Sequence, residues 1–265
     1  MNNSSNAGVL LEKSRVPSPY SVRVGCAGWN IPRDFAANFS SGGSHLDRYS
    51  KVFNCCEINS SFYRPHKPIT WERWAQSVPA QFQFSVKVPR TITHEAKLNC
   101  DSGILTEFFR QIKSLHDKLG PVLIQLPPSL QFELVLTRKF ASMLRDNYSG
   151  DVVWEPRHPS WFNDQVDDLL KEFRIARVAA DPACVPAASR PGGLPSLVYF
   201  RLHGSPRRYY SAYTKESLKK LSAQLASSAP KGTVWCVFDN TASGAALGNA
   251  LELTVKLKKG RVRVA

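Results

Sequence analysis

The chain has 265 residues, of which 43% are hydrophobic and 21% charged, a composition typical of globular proteins that excludes a fibrous or fully disordered chain. No apolar run approaches the roughly 18 residues that a membrane-spanning helix requires. The net charge of +14 favours anionic partners, either small anionic molecules or nucleic acid, although a solvated basic surface explains it equally well.

Cysteine usage indicates the redox environment. None of the six cysteines forms a C-x-x-C pair, and several lie in apolar runs. This pattern is typical of free thiols in a reducing compartment rather than of disulfides or a zinc site. A cytoplasmic location is therefore expected.

Short β-like runs alternate with helical patterns along most of the chain. Residues 1–20 are predicted to form a disordered leader. Eight strands are predicted, at Val22–Ala27, Phe53–Ile58, Phe82–Val88, Val122–Leu126, Val152–Glu155, Ile175–Ala180, Leu197–Leu202 and Thr233–Phe238. The predicted helices begin near Ser44, Thr70, Asp101, Thr137, Asn163 or Asp164, and Thr214, and a last one contains Leu247, Ala250 and Leu251.

Eight strand–helix pairs predict a single-domain (β/α)₈ barrel of the TIM type over residues 21–257, followed by a basic tail at 258–265. An open, doubly wound sheet is the alternative. Such sheets usually begin with a glycine-rich phosphate turn, and Gly25 and Gly28 do not have the spacing of a dinucleotide fingerprint. The barrel is therefore favoured.

Charged side chains share one face of most predicted strands, because every second residue of a strand points the same way. The same-face groups are Arg23 with Gly25, Glu57 with Asn59, Gln83 with Ser85 and Lys87, Glu155 with Arg157, Arg177 with Asp181, and Arg201 with His203. Charges near the C-terminal strand ends predict a polar pocket there, since barrel active sites lie at that face. Alternatively, the charges form ion pairs that fill the lumen, most plausibly Arg23 and Arg177.

These segments resemble the YecE-like family, a family of barrel proteins whose domain has no assigned function. The matching stretches are Gly25–Trp29, Glu57–Tyr63, Phe84–His94, Gln125–Pro128, Glu155–Trp161, Asp181, Arg201–Gly204, and Phe238–Asn240 with Asn249-Ala250. They occur in order between Val22 and Leu257. The resemblance implies a TIM-like barrel and implies no reaction. Cys26-Ala27 replaces a commoner Thr-Ser pair, and Ser61 stands where Thr is more usual.

Five residues are candidates for catalysis: Glu57, Lys87, Glu155, Asp181 and His203. Glu57 or Glu155 is expected to act as general acid or base, provided that their surroundings separate their pKa values. Lys87 could form a Schiff base with a carbonyl substrate if its pKa were lowered. The alternative for Lys87 is an ion pair with Glu57 on the neighbouring strand.

A second set of residues is expected to bind the ligand. Its members are Trp29, Asn59, Tyr63, Arg90, His94, Gln125, Arg157, His158, Arg201, Tyr210 and Asn240. Guanidinium groups recognise carboxylates and phosphates in a forked geometry. The predicted ligand is therefore an anionic small molecule, a sugar or a phosphorylated metabolite.

No cofactor is predicted, but Glu155, Asp181, His203 and Asp239 offer a ligand set for a divalent metal. The neighbouring arginines and lysine would compete for these carboxylates. The leading hypothesis is an enzyme that uses general acid/base chemistry. A nucleic-acid-binding or metal-dependent nucleic-acid-processing barrel is an alternative, suggested by the arginines and tyrosines of 207–213. A non-catalytic ligand-binding barrel is another, and the oligomeric state stays open.

Overall fold

Ten short strands fill the eight positions of a barrel in the computed structural model, which describes residues 22–228, 232–260 and 262. The predicted leader at 1–20 lies outside the described residues, as does most of the predicted basic tail. The strands are β1 (Val22–Cys26), β2 (Cys55–Ile58), β3 (Gln83–Lys87), β4 (Leu119–Gln125), β5 (Val152–Glu155), β6 (Ile175–Arg177), β7 (Ala179–Asp181), β8 (Gly192–Gly193), β9 (Leu197–Leu202) and β10 (Thr233–Phe238). The predicted (β/α)₈ barrel of a single domain is confirmed.

The strands form two hydrogen-bonded sheets. One has the order β1-β10-β9-β7 and the other β2-β3-β4-β5-β6-β8, with every pair parallel except β6 and β8. Between β1 and β2 the ladder is reduced to a bridge of Ala27 with Glu57 and a bond from the Gly28 N–H to the Glu57 carbonyl. The segment 175–181 changes partner, since β6 pairs with β5 and β7 with β9. The barrel ring thus has two seams.

Within the described ranges, seven α-helices surround the strands. They are α1 (His45–Ser50), α2 (Pro68–Gln76), α3 (Ser102–Ile112), α4 (Leu134–Asn147), α5 (Asp164–Glu172), α6 (Lys215–Ser228) and α7 (Ala245–Lys259). The side chains of Ser44, Asp101 and Asn163 accept hydrogen bonds from backbone N–H groups that the first helical turn leaves free. Helix α7 continues to Lys259, two residues beyond Leu257, where the barrel was predicted to end.

The sixth strand position has no α-helix after it, so the expectation of eight strand–helix pairs was wrong in this detail. A 3₁₀ turn at Pro186–Ser189 and the short β8 take its place. Four prolines lie between residues 182 and 195, and each lacks the N–H that a helix requires. A cavity of about 340 Å³ lies behind this segment, outside the barrel, between β7, β9 and α6.

The core has two layers. The outer layer packs strands against helices, and the inner layer fills the lumen with side chains that include Cys55, Leu123, Val153, Tyr199 and Trp235. The rings of Tyr199 and Trp235 stack at 6.0 Å. This apolar floor leaves the charged side chains above it, toward the C-terminal ends of the strands.

Two features of the composition can be located in the structure, the cysteines and the apolar segments. All six cysteines are free thiols, and four of them are buried in the strands, namely Cys26, Cys55, Cys56 and Cys236. Within the described part of the chain, no helix is both long enough and apolar enough to cross a bilayer.

Candidate functional site

Arg201 lies at the centre of a buried charged cluster in the lumen. Alternation along β9 sends Tyr199, Arg201 and His203 inward, while Phe200 and Leu202 pack outward. The Arg201 side chain is 0% exposed. A guanidinium that has lost its water needs charged partners, and three carboxylates surround this one.

Glu57 is the first of these partners. Its Oε1 lies 2.7 Å from Arg201 Nη2, its Oε2 lies 3.1 Å from Arg201 Nε, and the Tyr199 hydroxyl donates to Oε2 at 2.9 Å. Both oxygens are therefore occupied and completely buried. Sequence reasoning did not select Tyr199, because a tyrosine within an apolar run has no polar signal of its own.

His203 joins the other two carboxylates. Its Nε2 is 2.8 Å from Glu155 Oε1, and its Nδ1 is 3.1 Å from Asp239 Oδ2. Arg157 Nη1 also approaches Nε2, at 3.1 Å. When both ring nitrogens donate to carboxylates the ring is a cation, and when Arg157 donates to Nε2 the ring is neutral. His203 Nε2 thus has both an acceptor, Glu155, and a donor, Arg157, within hydrogen-bond distance.

Two carboxylates of this cluster, Glu155 and Asp239, are held ionised. Burial would raise the pKa of Glu155, but the charges of His203, Arg201 and Arg157 outweigh it and hold the pKa well below its usual range. The pKa of Asp239 is lowered in the same way, because Arg201 and His203 outweigh its burial. Glu155 and Asp239 therefore form a charged frame with the guanidinium groups of Arg201 and Arg157, and Arg201 links this frame to Glu57.

Lys87 stands apart from this frame, although it is 5% exposed and ends β3 on the same inner face. Among the residues that the structure describes, no carboxylate lies within 4.0 Å of its Nζ, so the alternative of an ion pair with Glu57 was wrong. Glu57 forms its ion pair with Arg201 instead. The ammonium group lies 3.9 Å from the centroid of the Phe62 ring, a cation–π contact.

The pKa of Lys87 is lowered to about 8. Burial is the main cause and the charge of Arg201 adds to it, while Glu57, Asp239 and Glu155 offset only part of the change. Roughly a tenth of this amine is therefore neutral at pH 7, far more than for an ordinary lysine.

Arg157 also reaches the lumen and is 8% exposed. Its Nη1 bonds to Glu155 Oε1 at 2.6 Å, while its other two nitrogens have no protein partner within the described part of the chain. Gln125 donates to the second Glu155 oxygen at 3.1 Å. Arg157 is thus anchored at one nitrogen and has donors to spare.

Three side chains lie around this cluster in the loops that follow the strands. The Tyr209 ring lies edge-on to the His203 ring, with 5.6 Å between the ring centroids. The backbone N–H of Tyr209 donates a hydrogen bond to the His203 carbonyl. His94 lies against Phe62, and burial together with the charges of Lys87 and Arg90 lowers its pKa. His158 is half-buried and accepts a bond from the Ser160 N–H, which caps a short 3₁₀ turn.

Other predicted ligand-binding residues lie apart from the charged cluster. Trp29 packs on Trp74 and Phe84, and with Asn59 it lines a separate cavity of about 360 Å³ beyond β1 and β2. Tyr63 and Arg90 are exposed on a groove of about 620 Å³ between the loops that follow β2 and β3.

Asn240 and Tyr210 belong to a different part of the surface. Asn240 is buried and holds a loop to α7 through Ser211 and Asn249. Tyr210 is exposed and stacks on Arg207.

Strand six differs from the sequence-based prediction. Ala176 and Val178 face the lumen, so alternation turns Arg177 and Asp181 outward. Arg177 pairs with Asp167 of α5, and Asp181 lines the outer cavity beside α6. The structure brings together the other four candidates for catalysis, which are Glu57, Lys87, Glu155 and His203. Asp181 is separated from them.

The candidate metal ligands do not form a metal site, although His203 contacts both Glu155 and Asp239. No group of three or more His, Cys, Asp or Glu side chains in the described ranges is placed to hold a metal ion. Arg201 and Arg157 bond to the oxygens of Glu155 and Asp239, and Asp181 faces away.

Comparison with known proteins assigns the chain to a family. A family model described as "Protein of unknown function DUF72" matches residues 23–264. The chain is 30% identical over 173 residues to UPF0759 protein YecE of Escherichia coli K12, covering 63% of this chain and 61% of that protein. It is 25% identical over 187 residues to UPF0759 protein YunF of Bacillus subtilis, covering 67% and 65%. The matches thus span less than two thirds of either relative.

Solved structures support the same assignment. A DUF72 family protein from Thermotoga maritima superimposes with a TM-score of 0.78 at 26% identity, covering 90% of this chain and all of that one. One from Enterococcus faecalis has a TM-score of 0.77 at 20% identity, covering 89% and 95%. A sugar phosphate isomerase/epimerase from Parabacteroides distasonis shares the fold, with a TM-score of 0.50 at 10% identity. The resemblance found in the sequence is confirmed, and the chain belongs to the DUF72 family.

Proposed function

We propose that the protein is an enzyme that moves a proton on a small anionic substrate, a sugar or a phosphorylated metabolite, at the C-terminal ends of the barrel strands. The observation that carries this proposal is a pair of buried cations with unused donors in the lumen, Arg157 in contact with His203 and Lys87 near the carboxylates that Arg201 binds. With Lys87 and His203 both protonated, three carboxylates face four cations, which leaves one positive charge for an anionic ligand.

In this proposal His203 transfers the proton. Its Nε2 has partners in both protonation states, Glu155 as acceptor and Arg157 as donor. Glu155 and Asp239 orient the ring and stabilise its cationic form. The predicted general acid/base role of Glu57 is less favoured, since both its oxygens already accept bonds from Arg201 and Tyr199.

Access to His203 requires Tyr209 to move, because His203 is completely buried and the Tyr209 ring lies against it. Tyr209 has a φ of 69°, a left-handed conformation that costs a residue other than glycine roughly 1–2 kcal/mol. Backbone strain of this kind concentrates at sites that bind or change conformation.

Ligand-dependent thermal unfolding tests the binding step. A panel of sugar phosphates, sugar acids and neutral sugars would be compared on the wild type, Arg157→Gln and Arg138→Gln, the last being an exposed control on α4. A ligand at about 100 times its Kd adds roughly 2.7 kcal/mol of stability. We expect anionic sugars to stabilise the wild type and Arg138→Gln but not Arg157→Gln. Stabilisation by neutral sugars alone, or equal stabilisation of all three proteins, would contradict the proposal.

Hydrogen exchange on the ligand tests the chemical step. Any stabilising anion would be incubated with the enzyme in deuterium oxide and followed by proton NMR. We expect loss of a carbon-bound proton signal with the wild type and not with His203→Gln. Equal exchange with both proteins would exclude His203 as the proton-transfer group.

A further inference from the structure

The position of Lys87 sets it apart from the other buried lysine near the strands, Lys118. Lys118 is 8% exposed, and its ammonium donates to the Ala80 carbonyl at 2.6 Å and to Asp117 at 3.0 Å. Lys87 is buried to a similar degree, yet its Nζ has no hydrogen-bond partner among the described residues. Burying an ammonium without a partner costs free energy, so a cation in this position is poorly stabilised.

The charges around Lys87 come from four other strands or their C-terminal ends, β2, β5, β9 and β10, and from the loop after β3. The groups that act on it are Arg201, Glu57, Asp239 and Glu155, and it acts in turn on His94, which Arg90 also faces. All three carboxylates are shared with Arg201. Their attraction for the lysine is therefore largely cancelled by the guanidinium that they already bind.

We propose that Lys87 is a nucleophile that captures the carbonyl carbon of the substrate as a Schiff base. The substrate class of the site is then an aldehyde or ketone that also carries a carboxylate or a phosphate. This inference rests on the proposed function, because Arg157 would hold the anionic group and His203 would remove the proton beside the captured carbon.

The step balances without a cofactor. The neutral amine adds to the carbonyl carbon, a carbon–nitrogen bond forms, and the carbonyl oxygen takes a proton to give a carbinolamine. The hydroxyl group then leaves as water by taking up the proton that the ammonium released on becoming the neutral amine, and a protonated imine remains. Overall, one ammonium and one carbonyl give one iminium ion and one water. The iminium is a cation in the place of the ammonium, between the Phe62 ring and the carboxylates.

The depressed pKa supports this role, since only the neutral amine attacks a carbonyl. An ordinary lysine, with a pKa near 10.4, is almost fully protonated at neutral pH. Lys87 has a pKa of about 8, so capture at Lys87 should become half-maximal near pH 8 and capture at surface lysines only at higher pH.

Reductive trapping tests the inference. The full chain would be incubated with pyruvate, dihydroxyacetone phosphate or acetone and then reduced with borohydride, and the adduct would be located by peptide mass spectrometry. The variants are Lys87→Arg, which keeps the charge without the nucleophile, and Lys118→Arg as the matched control. Thermal unfolding of each variant confirms that it folds.

We expect one of the two anionic probes to label Lys87 in the wild type and in Lys118→Arg. Acetone should label far less, and Lys87→Arg should lose the adduct. Labelling spread over surface lysines, or an adduct that persists in Lys87→Arg, would overturn the inference.

The same variants separate this inference from the proposed function. If Lys87 is never trapped while anionic sugars still stabilise the wild type and not Arg157→Gln, Schiff-base capture is excluded and the anion site stands. If Lys87 is trapped equally by acetone and by the anionic probes, the nucleophile stands and the anion site is excluded.

Discussion

Arg201 Nη2 lies 2.7 Å from Glu57 Oε1, and this bond joins the two sheets of the barrel. Arg201 belongs to the four-stranded sheet, whereas Glu57 on β2 and Glu155 on β5 belong to the six-stranded sheet. Arg201 Nη1 also bonds to Glu155, at 3.1 Å. The backbone ladder is weak or changes partner at two places, so this ion-pair network connects the sheets through the lumen.

Removing the central guanidinium should be strongly destabilising. We expect Arg201→Met to lower the free energy of unfolding by about 3–5 kcal/mol, because Glu57, Glu155 and Asp239 would remain buried without their main counter-charge. Urea unfolding at neutral pH measures the change. Arg138→Met, which breaks an exposed ion pair with Glu172, is the control and should have little effect. A similarly small effect in both variants would contradict a stabilising role for Arg201.

Removing Lys87 should have the opposite effect. We expect Lys87→Met to raise the free energy of unfolding at pH 7 by up to about 3 kcal/mol, because the folded state lowers the pKa of this lysine from 10.5 to about 8. Lys118→Met, in contrast, should be destabilising, since it leaves the Ala80 carbonyl without its donor. A destabilised Lys87→Met would indicate that the lysine has a structural role.

The pH dependence of stability gives a second measure of Lys87. Between pH 8 and 10.5 the unfolded chain binds more protons at this residue than the folded chain does, so this group makes stability rise with pH in that window. Urea unfolding across the window should show a steeper rise for the wild type than for Lys87→Met. Parallel curves would exclude a depressed pKa.

Acid should destabilise the barrel through Glu155. Its folded-state pKa lies well below 4.5, so below that pH the unfolded chain takes up the proton first and stability falls. We expect the free energy of unfolding of Glu155→Gln to fall less steeply than that of the wild type between about pH 5 and about pH 3. Glu95→Gln, an exposed control, should keep the wild-type slope.

Gly25 should tolerate no side chain. A Cβ there would lie 2.1 Å from the Cys55 carbonyl oxygen and 2.9 Å from the Tyr49 hydroxyl. We expect Gly25→Ala to cost about 1–3 kcal/mol or more, because the crowded atoms are backbone and buried side chain. Gly42→Ala, which meets nothing within 4 Å, should be nearly neutral in the same thermal-unfolding assay. Comparable losses at both positions would show that crowding is not the cause.

Much of the fold is predictable from local patterns. Apolar runs and turn residues locate the strands, and Asp101 and Asn163 cap their helices as their spacing indicates. The lack of a helix after the sixth strand position is harder to predict, because the four prolines of segment 182–195 are spread along it rather than clustered. The division of pairing between β6 and β7 depends on neighbours that the local pattern does not specify.

The candidate site is predictable in part. Alternation places Glu57, Lys87, Glu155 and Arg201 on the lumen face, as expected. It does not say which face of a strand turns inward, so Asp181 was assigned to the wrong side. Alternation also does not specify which charged side chains form ion pairs. Glu57 lies on the strand next to Lys87, yet it pairs with Arg201 from across the lumen.

The two seams divide the barrel into units that could open separately. Amide hydrogens inside each sheet should exchange with solvent only through large openings, while those of Gly28 and Val178, which lie at the seams, should exchange sooner. If Arg201 joins the sheets, its loss would speed exchange at the seams more than within either sheet. Local opening of the barrel at this end would then be governed by the same charged side chains that form the candidate site.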